Sequence, residues 1–225
     1  MESSLKNTPR SSNGRRTLVV MAKAPKPGMV KTRLSPSLPV EAVTGLYRCL
    51  LDDTIALAHS VKTVDVAIIC PASDVEELTR LAPSVSGVVG QKGQGLAAGL
   101  NSAFAHFAAV GYQRVVAFNS DSPHLPASIL EGAFEALARY DVVVGPTHDG
   151  GYYLVGAKAS HTGLFDGNTM GTNSALEALL ARARALQLSV GFTVPFYDID
   201  VAGDLTRLAT ELELAPARAP RTALW

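Results

Sequence analysis

Four cations stand close together near the start of the chain. In Lys23-Ala-Pro-Lys26-Pro-Gly28-Met-Val-Lys31-Thr32-Arg33 they fall within eleven residues, and no acid occurs from Ser3 to Val40. Cations spaced this closely repel one another unless an anion lies among them. A polyphosphate would remove that repulsion and accept charge-assisted hydrogen bonds. Pro25, Pro27 and Gly28 stiffen and turn the segment. It therefore reads as a phosphate cradle, set against the plainer alternative of a solvated basic loop. It is not a Walker A loop, because Val30 precedes Lys31-Thr32 where that motif requires glycine.

Four acidic or glycine-rich segments complement it. Asn119-Ser120-Asp121-Ser122-Pro123 sets a carboxylate just beyond the apolar run RVVAF. A hard divalent cation such as Mg²⁺ prefers one or two carboxylates completed by phosphate oxygens and water. The alternative for Asp121 is an Asx-turn or a helix cap. Asp198 and Asp200, two residues apart on an extended segment, project to the same side. Like charges so placed call for a cation or a helix start between them. A helix follows, so Asp200 could also serve as its N-cap, with Asp204 in the first turn. Asp149-Gly150-Gly151 is a hairpin signal. With Thr147, His148 and Tyr152 it forms a low-bulk segment suited to a ligand group. Finally, Gly93-Gln94-Gly95-Leu96-Ala97-Ala98 looks like a dinucleotide fingerprint but follows the third strand rather than the first. It reads either as backbone N–H contact to a nucleotide at a helix start or as a turn that needs glycine.

These loops must be carried by a frame, and the hydrophobic periodicity supplies one. Short apolar runs at 17–22, 64–70, 85–89, 114–118, 141–145, 152–156 and near 189–194 read as strands. Helical spacing marks 41–59, 96–109, 127–139, a stretch from Ser174 to about Leu186, and a last helix after Asp200. Asp74 and Glu77 give a capping-box pattern for a short helix. Such alternation predicts an α/β protein, a mostly parallel sheet covered on both faces. The sheet should be mixed, because 141–145 and 152–156 lie too close for a helical crossover. Ligands then bind at the carboxyl ends of the strands, where the loops above begin.

Composition narrows the function classes. The chain has 225 residues, 47% hydrophobic and 18% charged, which excludes a disordered chain. Twenty basic residues balance twenty acidic ones, arguing against a general nucleic-acid binder. Residues 1–40 nevertheless carry eight basic side chains and one acid, a local excess that points to an anion site or a basic tail. No apolar run is long enough for a membrane span. Two cysteines, Cys49 and Cys70, cannot build a zinc site or a disulfide framework and fit a reducing, cytoplasmic setting. Residues 1–16 are expected to be a disordered tail without the apolar core of a secretory signal, 17–214 one domain, and 215–225 a loose C-terminal tail.

Taken together and in order, MAKAPKPGMVKTRLSP, SDSPHLP, VVVGPTHDGGYYLVG and YDIDVAGDL resemble a glycosyltransferase-A-like bacterial family. That family is related to the archaeal 2-phospholactate guanylyltransferase and, with the molybdenum-cofactor guanylyltransferases, belongs to the nucleotide-diphospho-sugar transferase superfamily. The resemblance spans about residues 17–210. It implies a three-layer α/β/α domain that is an Mg²⁺- or Mn²⁺-dependent glycosyltransferase, or alternatively a nucleotidylyltransferase. Its partners would be a nucleotide or nucleotide-sugar and a small acceptor. Carried over by position, Lys23, Lys31 and Arg33 match the phosphate-facing loop, and Gln94, Gly95 and Asn101 the segment near base and ribose. Asp121 matches the metal-binding acid, and Asp198 with Asp200 the second acidic element. Asp149, Gly150, Gly151 and Tyr152 match the acceptor side. Asp121, Asp200 and Lys31 are thereby the implied catalytic set. The chain departs from the pattern at three places. The first loop lacks a glycine pair, Asn119 breaks any Asp-x-Asp, and Met170-Gly171-Thr172 replaces the usual Trp-Ser-Thr.

Overall fold

The computed structural model describes residues 14–167 and 174–225. Met170-Gly171-Thr172 and most of the expected N-terminal tail lie outside them. Arg16, the end of that tail, is already in the first strand.

Seven strands form one sheet: β1 (Arg16–Met21), β2 (Asp65–Pro71), β3 (Gly87–Gln91), β4 (Arg114–Asn119), β5 (Val142–Pro146), β6 (Tyr152–Ala157) and β7 (Val190–Phe192). Their order is β3-β2-β1-β4-β6-β5-β7. All neighbours run parallel except β6, which is antiparallel to both β4 and β5. The short Asp149-Gly150 connection leaves β6 no other choice. The helices are α1 (Val40–Ser60), α2 (Val75–Leu81), α3 (Gly95–Ala109), α4 (Ala127–Ala136), α5 (Ala175–Ala185), α6 (Ala202–Leu214) and α7 (Pro220–Leu224).

Strand periodicity of two sorts the core. In β1, Leu18 and Val20 face α1, α2 and α4, packing with Ile55, Leu78 and Phe134. Val19 points the other way, into a cluster with Phe104 of α3 and Leu179 of α5. A third cluster joins α1 to α6 through Leu46, Leu50, Ile199, Leu208 and Leu212. The three layers expected from the sequence are therefore present. The chain winds outward from β1 through β2 to β3, then returns to β4 on the other side of β1. That reversal opens a crevice at the carboxyl ends of β1 and β4, where doubly wound sheets bind ligands.

Two expectations need correction. Residues 215–225 are not loose. Pro216–Arg218 form a 3₁₀ turn and α7 packs on α1. Asp53 of α1, 2% exposed, accepts bonds from Arg221 N (3.2 Å), Thr222 N (2.8 Å) and Thr222 Oγ1 (2.8 Å). Pro220 sits in the first turn of α7, where its missing N–H costs nothing. Asp74, in turn, does not cap α2 with its side chain. Its carboxylate reaches back to the first loop instead, accepting from Ala24 N at 2.9 Å and Lys26 Nζ at 2.6 Å.

Candidate active site

The loop after β1 crosses the mouth of the crevice and is pinned at both ends. At its start, Tyr47 of α1 accepts a bond from Lys23 N (3.0 Å), donates to Lys23 O (3.2 Å) and meets Ser120 Oγ at 3.1 Å. Asp74 holds the next stretch through Ala24 and Lys26. The loop then turns at Gly28 (φ 73°) and again at Lys31, whose φ of 46° and ψ of 40° are left-handed. Lysine gains nothing from that conformation, which disfavours a side chain. The reason for it lies in where the side chain goes.

Lys31 Nζ lies 2.9 Å from Asp121 Oδ2 and 2.9 Å from Asp200 Oδ1, its side chain only 5% exposed. Burial alone would push the ammonium down, but Asp121 and Asp200 outweigh it and hold it above its ordinary value. Arg33, largely exposed, adds a contact to Asp200 Oδ2 at 3.0 Å. The two acidic segments are laced together behind this centre. Ile199 N donates to Asp121 O (3.0 Å), and Ser122 Oγ donates to Tyr197 O (2.9 Å). The capping alternative for Asp200 is not what the structure shows. Asp204 Oδ2 instead accepts from the N–H groups of Asp200 (2.9 Å) and Val201 (2.8 Å). The Asp200 carboxylate is thereby left to the lysine and arginine. Asp198 lines the same cleft, and burial, then Asp200 and Asp121, push its carboxyl up to about 6.

These groups line a cleft of about 600 Å³. Its β1–β3 side is apolar, with Met21, Ile69, Pro71 and Leu96, and Gln91 at its rim. Gln91 Nε2 donates to Gly93 O (3.0 Å) and Gly95 O (3.4 Å), closing the glycine loop. Gln91 also packs directly on α3, where a Cβ on Gly99 would stand 2.9 Å from its Oε1. The opposite wall carries Thr147, Asp149, Gly151 and Tyr152. Thr147 Oγ1 (2.5 Å) and Gly151 N (3.2 Å) both donate to Asp149 Oδ1 and fix its plane. The Thr147 hydroxyl leads the interactions that hold the Asp149 carboxyl below its ordinary value.

The structure thus brings together Lys23, Lys31, Arg33, Gly95, Asp121, Asp149, Gly151, Tyr152, Asp198 and Asp200. It leaves three expected residues outside the cleft. Gln94 is exposed at the start of α3 and makes no cap with its side chain. Asn101 Nδ2 donates to Asp166 Oδ1 at 3.2 Å, a turn of helix beyond the cleft. Gly150 occupies the hairpin turn with φ 89° and accepts from Leu176 N. Tyr47 and Asp74 were missed, since Tyr47 follows an apolar helical stripe and Asp74 resembles a cap. The expectation of four uncompensated cations is also corrected. Lys26 and Lys31 are neutralised within the protein, which leaves Lys23 and the outer face of Arg33.

A metal fits this donor set in a limited way. The donors are hard carboxylate oxygens, those of Asp121, Asp198 and Asp200, which line one cleft. Yet among the described residues no three His, Cys, Asp or Glu side chains are grouped to cage an ion. The arrangement suits a divalent ion held through one or two carboxylates and completed by phosphate and water.

Comparison with known proteins begins with a family model that matches residues 54–172, more than half of the chain. The chain belongs to that family, DUF2064, described as an uncharacterized protein conserved in bacteria. The DUF2064 match takes in Asp121 and Asp149 and stops short of both the basic loop and Asp198–Asp200. A solved structure from Desulfovibrio desulfuricans G20, provisionally titled a nucleotide-diphospho-sugar transferase, is 28% identical. It aligns over 93% of each chain with a TM-score of 0.84. A nucleotidyl transferase from Methanothermobacter thermautotroptrophicus shares 15% identity and a TM-score of 0.64, over 89% of this chain and 98% of its own. CMP:2-keto-3-deoxy-manno-octonic acid synthetase, solved with CTP, shares 10% identity and a TM-score of 0.60, over 89% and 99%. The last two likenesses show the fold alone. No curated protein matches the chain significantly. The neighbours are transferases, and this DUF2064 chain has their nucleotide-diphospho-sugar transferase-like fold. Among the described residues no helix is long and apolar enough to cross a membrane.

Proposed function

We propose that the protein is a divalent-cation-dependent transferase that takes a nucleoside-diphosphate sugar and passes the sugar to a small acceptor. One observation carries this reading. The basic loop and both acidic segments converge on one point, with Lys31 between Asp121 and Asp200. The apolar wall of Met21, Ile69, Pro71 and Leu96 would take the base, and Lys23 and Arg33 the diphosphate. Asp121, with Asp200 or Asp198, would hold Mg²⁺ or Mn²⁺, which supplies charge stabilisation for a leaving phosphate. Tyr47 keeps Lys23 and Ser120 in place. Asp149, its plane fixed by Thr147 and Gly151, would accept a hydrogen bond from the acceptor. An acceptor hydroxyl attacks the sugar carbon and passes its proton to the Asp149 carboxylate, the bond to the diphosphate oxygen breaks, and the nucleoside diphosphate leaves against the cationic side chains. The similarity to the Desulfovibrio structure supports this reading, and we place the reaction in the cytoplasm.

A second reading is nucleotidylyl transfer, with a substrate phosphate attacking a nucleoside triphosphate and pyrophosphate leaving. The fold shared with the CTP-bound synthetase and the Methanothermobacter enzyme favours it. The pairing of Lys26 with Asp74 and Glu77, away from the cleft, weakens it, since one cation fewer remains for the more highly charged pyrophosphate. Incubation with Mg²⁺ and a panel of triphosphates and nucleotide sugars separates the two. Release of nucleoside diphosphate supports glycosyl transfer, and release of pyrophosphate supports the alternative. Neither product from any member of the panel would sink both.

A further inference from the structure

We propose that Lys31 is an exchangeable resident cation: its ammonium keeps the place between Asp121 and Asp200 until phosphate arrives to receive it, and only then can a divalent ion enter. The inference rests on the metal-and-diphosphate reading of the cleft and adds a coupling between the two ligands.

Three features carry it. The ammonium makes equal 2.9 Å contacts to one oxygen of each carboxylate, so an ion seated between them must displace it. The lysine is held in a left-handed backbone conformation (φ 46°), which a non-glycine residue keeps only while its surroundings enforce it. The side chain also lines the cleft beside Lys23 and Arg33, so a phosphate there offers an alternative partner. Without phosphate, expulsion would leave a buried ammonium unpaired, and such charges are costly to strand. With phosphate, the ammonium exchanges two carboxylate contacts for phosphate contacts while the metal takes over the carboxylates. Metal and diphosphate must then strengthen each other's binding to the same extent. The arrangement keeps the acidic rim compensated and folded between turnovers.

The test uses full-length protein freed of metal. Mn²⁺ alone is titrated into wild type and Lys31→Met, followed by paramagnetic resonance of the free ion. Lys31→Met should bind Mn²⁺ at least tenfold more tightly than wild type. In wild type, lysine acetylation mapped by mass spectrometry should find Lys31 protected without ligand and with Mn²⁺ alone. With Mn²⁺ and pyrophosphate together, the pattern at Lys31 should change. The acetylation arm needs no variant, so it stands even if Lys31→Met folds poorly. Equal Mn²⁺ affinity in the two proteins overturns the exchange. So does wild type that takes up Mn²⁺ with pyrophosphate while Lys31 keeps its ligand-free protection, an outcome that leaves the metal reading intact. No Mn²⁺ uptake by either protein under any of these conditions overturns the exchange and the metal reading together.

Discussion

Lys26 and Lys31 sit five residues apart in one loop, look alike in the sequence, and do different work. Lys26 is 40% exposed and pairs outward with Asp74 and Glu77 of the α2 region, clamping the loop to the frame. Lys31 is 5% exposed and turned inward to Asp121 and Asp200, at the crevice between β1 and β4. Only the second pair includes carboxylates that line the cleft. What separates them is the backbone: Gly28 and the left-handed Lys31 swing the second half of the loop over the crevice. A run of like charges therefore predicts neither a site nor a solvated face by itself. The partners that the fold delivers decide.

Substitutions on the two sides should separate cleanly. The largest effect is expected for Asp121→Asn, which should lower kcat by about 100-fold or more, as removal of a group that organises transition-state charge does. The variant should still fold, since Asp200 continues to pair with Lys31, and an unaltered rate would remove Asp121 from the chemistry. Arg33→Ala should weaken nucleotide binding by about 1.5–3 kcal/mol, the range of a charge-assisted hydrogen bond, read by calorimetry. On the frame side, Asp74→Ala leaves Ala24 N–H buried without its partner and should cost about 1–3 kcal/mol in a denaturant titration. Its kcat per folded molecule should change far less than that of Asp121→Asn.

The smallest effect is a pH dependence. Burial pushes the Asp74 carboxyl up, but the Lys26 ammonium and Ala24 N–H outweigh it and leave it below its ordinary 3.8. A lowered folded-state value means that the ionised group favours folding. That contribution is complete above the unfolded-state value and is lost as pH falls through the lowered one. Wild type should thus lose more stability than Asp74→Asn between pH 5 and acid conditions of about pH 2. Parallel acid profiles for the two proteins would show that the clamp contributes nothing.

Much of the frame was legible in the sequence. Strand and helix positions follow from apolar periodicity, and the antiparallel β6 from the short Asp149-Gly150 turn. The place of Asp121 was legible too, because a carboxylate just past an apolar strand stands at the sheet's carboxyl edge, and that of Asp198 and Asp200 because alternate residues of an extended segment project to one side. Long-range pairing was not. Nothing in the spacing tells that Asp74 serves Ala24 and Lys26 rather than its own helix. Nor does it show that Asp53 holds α7, or that Tyr47 of an apolar stripe turns its hydroxyl to Lys23 and Ser120. Asn101 failed for a related reason: its place on α3 was right, but the helix phase sends it to Asp166.

The central claim is that phosphate and a divalent ion meet at the Lys31 rim. Amide resonance broadening by Mn²⁺ in the presence of pyrophosphate tests it most directly. Broadening centred on residues 31–33, 119–121 and 198–200, together with enhanced relaxation of the pyrophosphate phosphorus, is the predicted result. Broadening centred on any other part of the chain, or phosphorus that relaxes as it does without protein, would contradict it.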